Sequence, residues 1–217
     1  MTGLLKKNMS YFVMYVAIIY PVLNLSWILR GDSFAFVGLL YNGFPIILIV
    51  MGAVSLQEMN EIKSNGYAFL KTLPLNTREI VNAKFLTVFV VVLFLTLLNF
   101  LLHSLVFQNT DYYVFANAVS VSAALISLLA SALIYVAFFR FSGRVILIFL
   151  WIFVFLCAAM VVLGTEAVLV KMDQQDIVQF VSGIGGMTWV LLSAFALIAF
   201  WGLNRLAVFT LNRRNFY

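Results

Sequence analysis

"FLTVFVVVLFLTLLNFLLHSLVF", residues 85–107, runs for 23 positions without an Asp, Glu, Lys or Arg. A helix rising 1.5 Å per residue needs about 20 apolar residues to cross the roughly 30 Å hydrocarbon core of a bilayer, so this stretch is long enough to span. Lipid offers backbone N–H and C=O groups no partner, which leaves only helices and closed barrels. The run lacks the period-2 alternation of a barrel strand, so it reads as a membrane helix. Composition puts the rest of the 217 residues in the same solvent: 65% are hydrophobic, 10% are charged, and the mean hydropathy is +1.09.

Read outward from that run, the sequence predicts six spans: 11–29, 34–56, 85–107, 114–139, 145–163 and 187–203. The fold class expected is an all-α integral membrane protein, with one transmembrane domain over 1–217 built as a six-helix bundle. Pro21 and Pro45 fall inside the first two spans, where a membrane helix can kink while its neighbours satisfy the freed carbonyl; bends are expected at both. Lys6 and Lys7 precede the first apolar run as they would in a signal peptide. That run is too long for an h-region, and residues 25–30 offer no small-x-small cleavage site, so a retained helix is expected.

Lys and Arg between the spans set the orientation. With the N-terminus inside, the inner segments hold Lys6, Lys7, Lys63, Lys71, Arg78, Lys84, Arg140, Arg144, Arg205, Arg213 and Arg214, whereas the outer ones hold Arg30 and Lys171. Eleven against two places both termini and residues 57–84 in the cytoplasm. The net charge of +5 is then a topology signal with attraction to anionic membrane lipids, and nucleic acid is not an expected partner.

Catalytic chemistry finds little to work with. Cys157 is alone, and His103 has no HExxH neighbour, so each reads as a packing or satisfied polar residue rather than a metal ligand; neither metal nor cofactor is expected in this chain. There is no GxxxxGK[ST] phosphate loop. Gly183, Gly185 and Gly186 lead into a membrane helix and read as a hinge or a close helix contact. The histidine, serines and carboxylates lie at different depths, which gives no nucleophile–base geometry. The six spans contain no Asp, Glu, Lys or Arg, so the groups by which ion-driven carriers usually couple are missing. Asn24, Asn42, Asn99, His103 and Asn117 read as hydrogen-bonding links between helices. If the protein pumps, its driving force must come from another chain.

The long inner segment 57–84 is the obvious place for such a chain to dock. The second span is expected to continue as helix past Glu58, Glu61 and Lys63 and to break at Ser64-Asn65-Gly66. Tyr67, Leu70, Phe69 and Leu73 then recur at i, i+3 and i, i+4, predicting a short helix with a broad apolar face that Pro74 stops. Asn76 and Glu79 have capping-box spacing, so a new helix should start near Thr77 and run through Lys84 into the third span. The short cross-helix is either a peg for a soluble partner or an interfacial helix, with Lys63, Lys71 and Lys84 against lipid phosphate.

"QEMNEIKSNGYAFLKTLPLNTREIVNAKFL", residues 57–86, resembles a segment of the membrane subunits of ABC-2-type transporters. In those subunits acidic residues and a turn precede an aromatic, then "LPL" or "LPV", a Thr or Ser with a basic residue, "EIV" and a Lys. The resemblance implies a type V exporter-like permease in which Tyr67, Phe69, Leu70, Lys71 and Leu73 form a coupling helix. Glu58 and Glu61 would lie on its approach, and Arg78 and Glu79 on its exit. It further implies cytoplasmic ATP-binding subunits that carry ATP and Mg, a second permease subunit, identical or not, and a bacterial plasma-membrane location. ATP hydrolysis would belong to the partner, and the cargo would be amphipathic, lipid-like or peptide, exported at an interface built from the second and fifth spans. Short re-entrant helices are expected in the outer segment 164–186, and an interfacial helix over 4–10. The rival reading is a membrane scaffold that binds a soluble partner without transport.

Overall fold

The computed structural model describes residues 2–22, 24, 43–64, 66, 76–106, 111–141, 179 and 183–213, and every regular element among them is helical. We label the α-helices α1 (Thr2–Met14), α2 (Phe44–Lys63), α3 (Thr77–Val106), α4 (Asp111–Arg140) and α5 (Gly186–Arg213). Among the described residues four helices, α2 to α5, are long and apolar enough to cross a membrane. The expected fifth span and Tyr67 to Leu73 lie outside the described residues, as does the outer segment up to residue 182 apart from Gln179.

At the N-terminus the expected interfacial stretch 4–10 and the start of the expected first span lie on one continuous helix. Helix α1 passes without a break into a π-helical turn, Tyr15–Ile19, and helical residues 20–22 follow. The π turn ends two residues before Pro21, whose ring would clash with a carbonyl one turn back and which has no N–H to donate; widening the turn there relieves both problems. Asn8 and Phe12, one turn apart, are buried where α1 packs on α2 and α3.

Pro45 does not kink a helix interior as expected. It stands in the first turn of α2, where its missing N–H would have had no partner in any case. Gly43, just before that turn, lets α2 approach α4: a Cβ there would come within 2.9 Å of Ala123 Cβ and 3.1 Å of Val119 Cγ1. Helix α2 ends at Lys63, with Ser64 N–H bonded to the Asn60 carbonyl. Helix α3 starts at Thr77, and the Glu79 carboxylate accepts the Asn76 N–H at 3.2 Å, the reciprocal half of a capping box.

Helix α4 is the hub, packed against α2, α3 and α5. Many of its inward positions are small: Ala116, Ser120, Ala123, Ala124, Ser127, Ser131 and Ala132 are all buried. In lipid, helices associate through close packing rather than by escaping water, and small side chains permit that approach. Ser127 and Ser131 donate to their own helix, to the carbonyls of Ala123 and Leu128, so burying them leaves no unmet hydroxyl. On α3 the outward side carries Leu86, Val90, Leu93, Leu97, Leu101 and Leu105, all exposed at helical spacing, as a lipid-facing stripe would be. Helices α3 and α4 have 30 residues each, about 45 Å of axis, and so outrun the hydrocarbon core by several turns.

Helix α5 packs thinly. Ala196, Phe200, Ala207 and Leu211 are buried, while most of its large apolar side chains are exposed. Gly185 and Gly186, ahead of and at its start, have no neighbour within 4 Å of an added Cβ, so the close-contact reading does not hold at those two positions.

Candidate functional site

The buried face of α2 runs as one stripe: Ile46, Ile49, Val50, Ala53, Val54, Gln57, Glu58 and Glu61. The spacing never leaves the i+3, i+4 register, but its last three members are polar or charged. Helix α3 does the same from its other end, with Ile80, Val81, Lys84, Phe85 and Val88 buried in register. Helical geometry thus turns three charged side chains inward at the end of the bundle that carries segment 57–84.

They meet there. Lys84 Nζ donates to Glu58 Oε1, and the two side chains are 2% and 0% exposed. The same ammonium lies 5.5 Å from the centroid of the Tyr135 ring on α4. Tyr135 donates its hydroxyl to Gln57 Oε1 at 3.2 Å, and Gln57 Nε2 donates to Asn8 Oδ1 on α1 at 2.8 Å. Lys7, next to Asn8 and 43% exposed, pairs with Glu61 Oε1 at 2.6 Å. The other Glu61 oxygen is buried, has no hydrogen-bond donor among the described residues, and faces Gly66, whose missing side chain leaves room for the carboxylate. Around this knot Phe85 packs on Tyr135 at 5.5 Å and on Phe200 of α5 at 5.1 Å, so aromatic contacts extend it across the bundle.

The chemistry available is electrostatic and mechanical. A carboxylate and an ammonium removed from water each cost several kcal/mol to desolvate, an outlay recovered only while the pair stays in contact. The knot therefore holds the end of α2, the start of α3 and the N-terminal helix in one arrangement. Three of its members carried expectations from the sequence. Glu58 and Glu61, placed by the sequence on the approach to a docking surface, are turned inward; Lys84, weighed as a contact for lipid phosphate, is buried under Tyr135. Arg78 is exposed and Glu79 partly so, at the start of α3. Tyr67, Phe69, Leu70, Lys71 and Leu73 lie outside the described residues.

Sequence reasoning missed Lys7, Asn8, Gln57 and Tyr135 as members of this site. The signal for Gln57 was present: it continues the buried stripe of α2 four residues after Ala53. Tyr135 and Asn8 carried none, because their partners lie 78 and 49 residues away.

A second polar set lies farther along the bundle. Tyr20 donates its hydroxyl to Asn99 Oδ1, Asn99 Nδ2 donates to Ser120 Oγ at 3.1 Å, and Asn24 Nδ2 reaches back to the Tyr20 carbonyl at 2.9 Å. His103, fully buried, sets Nδ1 2.9 Å from Asn117 Oδ1. An amide oxygen only accepts, so Nδ1 carries the proton. These bonds join α3 to α4 and to the helical turn after α1. Among the described residues no three His, Cys, Asp or Glu side chains converge as a metal site would require.

Residues 3–201 match the sequence pattern of the family described as ABC-2 family transporter protein, a match that covers most of the chain. No curated protein and no solved structure matches it significantly.

Proposed function

The chain belongs to the ABC-2 transporter family, and on that footing we propose that it is the membrane-spanning permease subunit of an ATP-driven exporter. A separate cytoplasmic ATP-binding subunit supplies the energy and holds ATP and Mg; this chain carries the motion. The docking element is the short helix Tyr67 to Leu73, with Tyr67, Phe69, Leu70, Lys71 and Leu73 as its contact residues and Arg78 and Glu79 at its exit. Glu58 and Glu61 act on docking through the stems, as positioning residues.

The observation that carries this reading is the buried knot. A peg transmits force only if its supports do not give, and both supports of this loop are held. Glu58 and Lys84 bind the end of α2 to the start of α3, while Glu61 and Lys7 bind α2 to α1. A displacement of the loop therefore reaches three helices together, the kind of rigid-body response on which alternating access depends. A second permease subunit completes the pathway, and an apolar lining suits an amphipathic, lipid-like or peptide cargo. The charge asymmetry of eleven to two supports cytoplasmic termini and insertion in a bacterial plasma membrane.

The test is gentle purification of the tagged chain from its native membrane, before and after replacing Tyr67, Leu70 and Leu73 with Glu. Recovery of a phosphate-loop ATPase with the wild-type chain, lost in the triple variant, is the expected result. A bound partner without a nucleotide site would replace the transporter with a scaffold.

A further inference from the structure

The outer rim of the same end of the bundle holds a different arrangement, of which the transport reading uses only Arg78. Between the start of α3 and the last turns of α5 lies a cleft of about 260 Å³, into which Arg78, Asn82, Asn204, Arg205 and Asn212 bring their polar groups. Its apolar walls are Trp201 and Phe209. On the other side of Phe209, between α4 and α5, a second cleft of about 340 Å³ is lined by Arg140, Arg213 and Thr210 with Phe139 and Leu206. Among the described residues, neither cleft is lined by a carboxylate.

We infer that these paired clefts bind the phosphate head group of an anionic phospholipid of the leaflet they face. Four features converge. The cations are all arginines, whose planar fork grips phosphate oxygens two at a time. Two forks are held by stacking, Arg205 at 4.5 Å from the Trp201 ring centroid and Arg213 at 4.0 Å from that of Phe209. Among the described residues the salt bridges are Lys7–Glu61 and Lys84–Glu58, so these four guanidinium groups are spent on no carboxylate. The walls continue into the exposed apolar surface of α5, where Trp201, Leu206 and Phe209 are well placed for the acyl and glycerol parts of a lipid. A free phosphate would satisfy the arginines but leave those rings against water.

The ligand also answers a structural need. Helix α5 has few buried side chains, and both clefts lie along its seams with α3 and α4. A lipid seated there bridges α5 to each neighbour and adds to the packing of Ala207 and Leu211, the buried residues of that end. This proposal requires only insertion in a membrane and stands independently of the transport reading; the lipid is a resident of the bundle, not its cargo.

The experiment uses the full chain purified in mild detergent and exchanged into nanodiscs of phosphatidylcholine with a minor fraction of phosphatidylglycerol. Lipid retained after extraction is counted by native mass spectrometry. The wild-type chain should keep phosphatidylglycerol far above its share of the bilayer, and R78Q/R205Q should lower its apparent affinity about thirtyfold without changing phosphatidylcholine retention. R78K/R205K, which keeps charge but loses the fork, should fall between them. If the double variant does not fold, salt titration of the wild-type chain serves instead: retention of the anionic lipid should fall steeply with ionic strength while that of phosphatidylcholine stays level. Equal retention of both lipids overturns the proposal. So does displacement of phosphatidylglycerol by millimolar inorganic phosphate, which would make the clefts a free-anion site. Loss of a soluble partner from R78Q/R205Q with lipid retention unchanged would make the rim a protein contact and overturn it as well.

Discussion

Replacing Lys84 with Met keeps the length and bulk of the side chain but removes its ammonium group. With Glu58 fully buried and Lys84 nearly so, no water is at hand to take over when the charge goes. Removing one member of a buried ion pair costs about 3–5 kcal/mol, and Glu58→Met should cost a similar amount because it takes a carboxylate away from the buried ammonium. Glu58→Met combined with Lys84→Met removes both charges from a buried site beside the Tyr135 ring, and should lie near wild-type stability or up to about 4 kcal/mol above it. Lys7→Met is the comparison. Lys7 is 43% exposed while its partner Glu61 is buried, so the loss should be smaller, about 1–3 kcal/mol for one further unmet carboxylate oxygen. The assay is unfolding in mixed micelles followed by helical circular dichroism, with all variants compared in one double-mutant cycle. A Lys84→Met cost below about 1 kcal/mol, the scale of a solvated pair, would refute the reasoning. So would a double variant whose loss equals the sum of its singles.

Three further outcomes follow from packing and hydrogen bonding. Gly43→Val places a branched side chain where even a Cβ meets Ala123 at 2.9 Å, and should lower stability by about 1–3 kcal/mol in the same assay, with Ala123→Gly recovering part of the loss. Gly66→Ala sets a methyl against the Glu61 carboxylate and should free Lys7 from its ion pair, read as faster proteolysis within α1 than in the wild-type chain. Asn99→Leu removes the acceptor of Tyr20 and the donor to Ser120, and should cost about 1–2 kcal/mol, the scale of interhelical hydrogen bonds in lipid.

The helical membrane fold was legible because lipid leaves the backbone few choices: a charge-free run such as residues 85–107 has no other way to satisfy its amides. The start of α3 was legible for a local reason, since Asn76 and Glu79 have the spacing of a cap and lie at its first turn. Pro45 misled, because a proline suits the first turn of a helix and the interior of a membrane span can tolerate one too; residues 34–44 alone do not separate the two. The charged knot was hidden by a habit of reading charges at span ends as boundary markers facing water. Glu58, Glu61 and Lys84 keep the helical register of the buried apolar residues beside them, a pattern visible in the sequence once followed past the last apolar residue. Their partners on α1 and α4 were not visible, since no local spacing ties residue 57 to residue 8 or residue 135.

The central claim is that segment 57–84 takes the stroke of an ATP-binding partner. The most direct measurement replaces Leu70 with a photo-crosslinking amino acid, irradiates intact native membranes, and identifies the adduct by mass spectrometry. The account predicts one soluble protein with a phosphate-loop nucleotide site, crosslinked at Leu70 and not at Leu101 on the lipid-facing stripe of α3. Adducts with lipid alone, or with a protein lacking a nucleotide site, would contradict it.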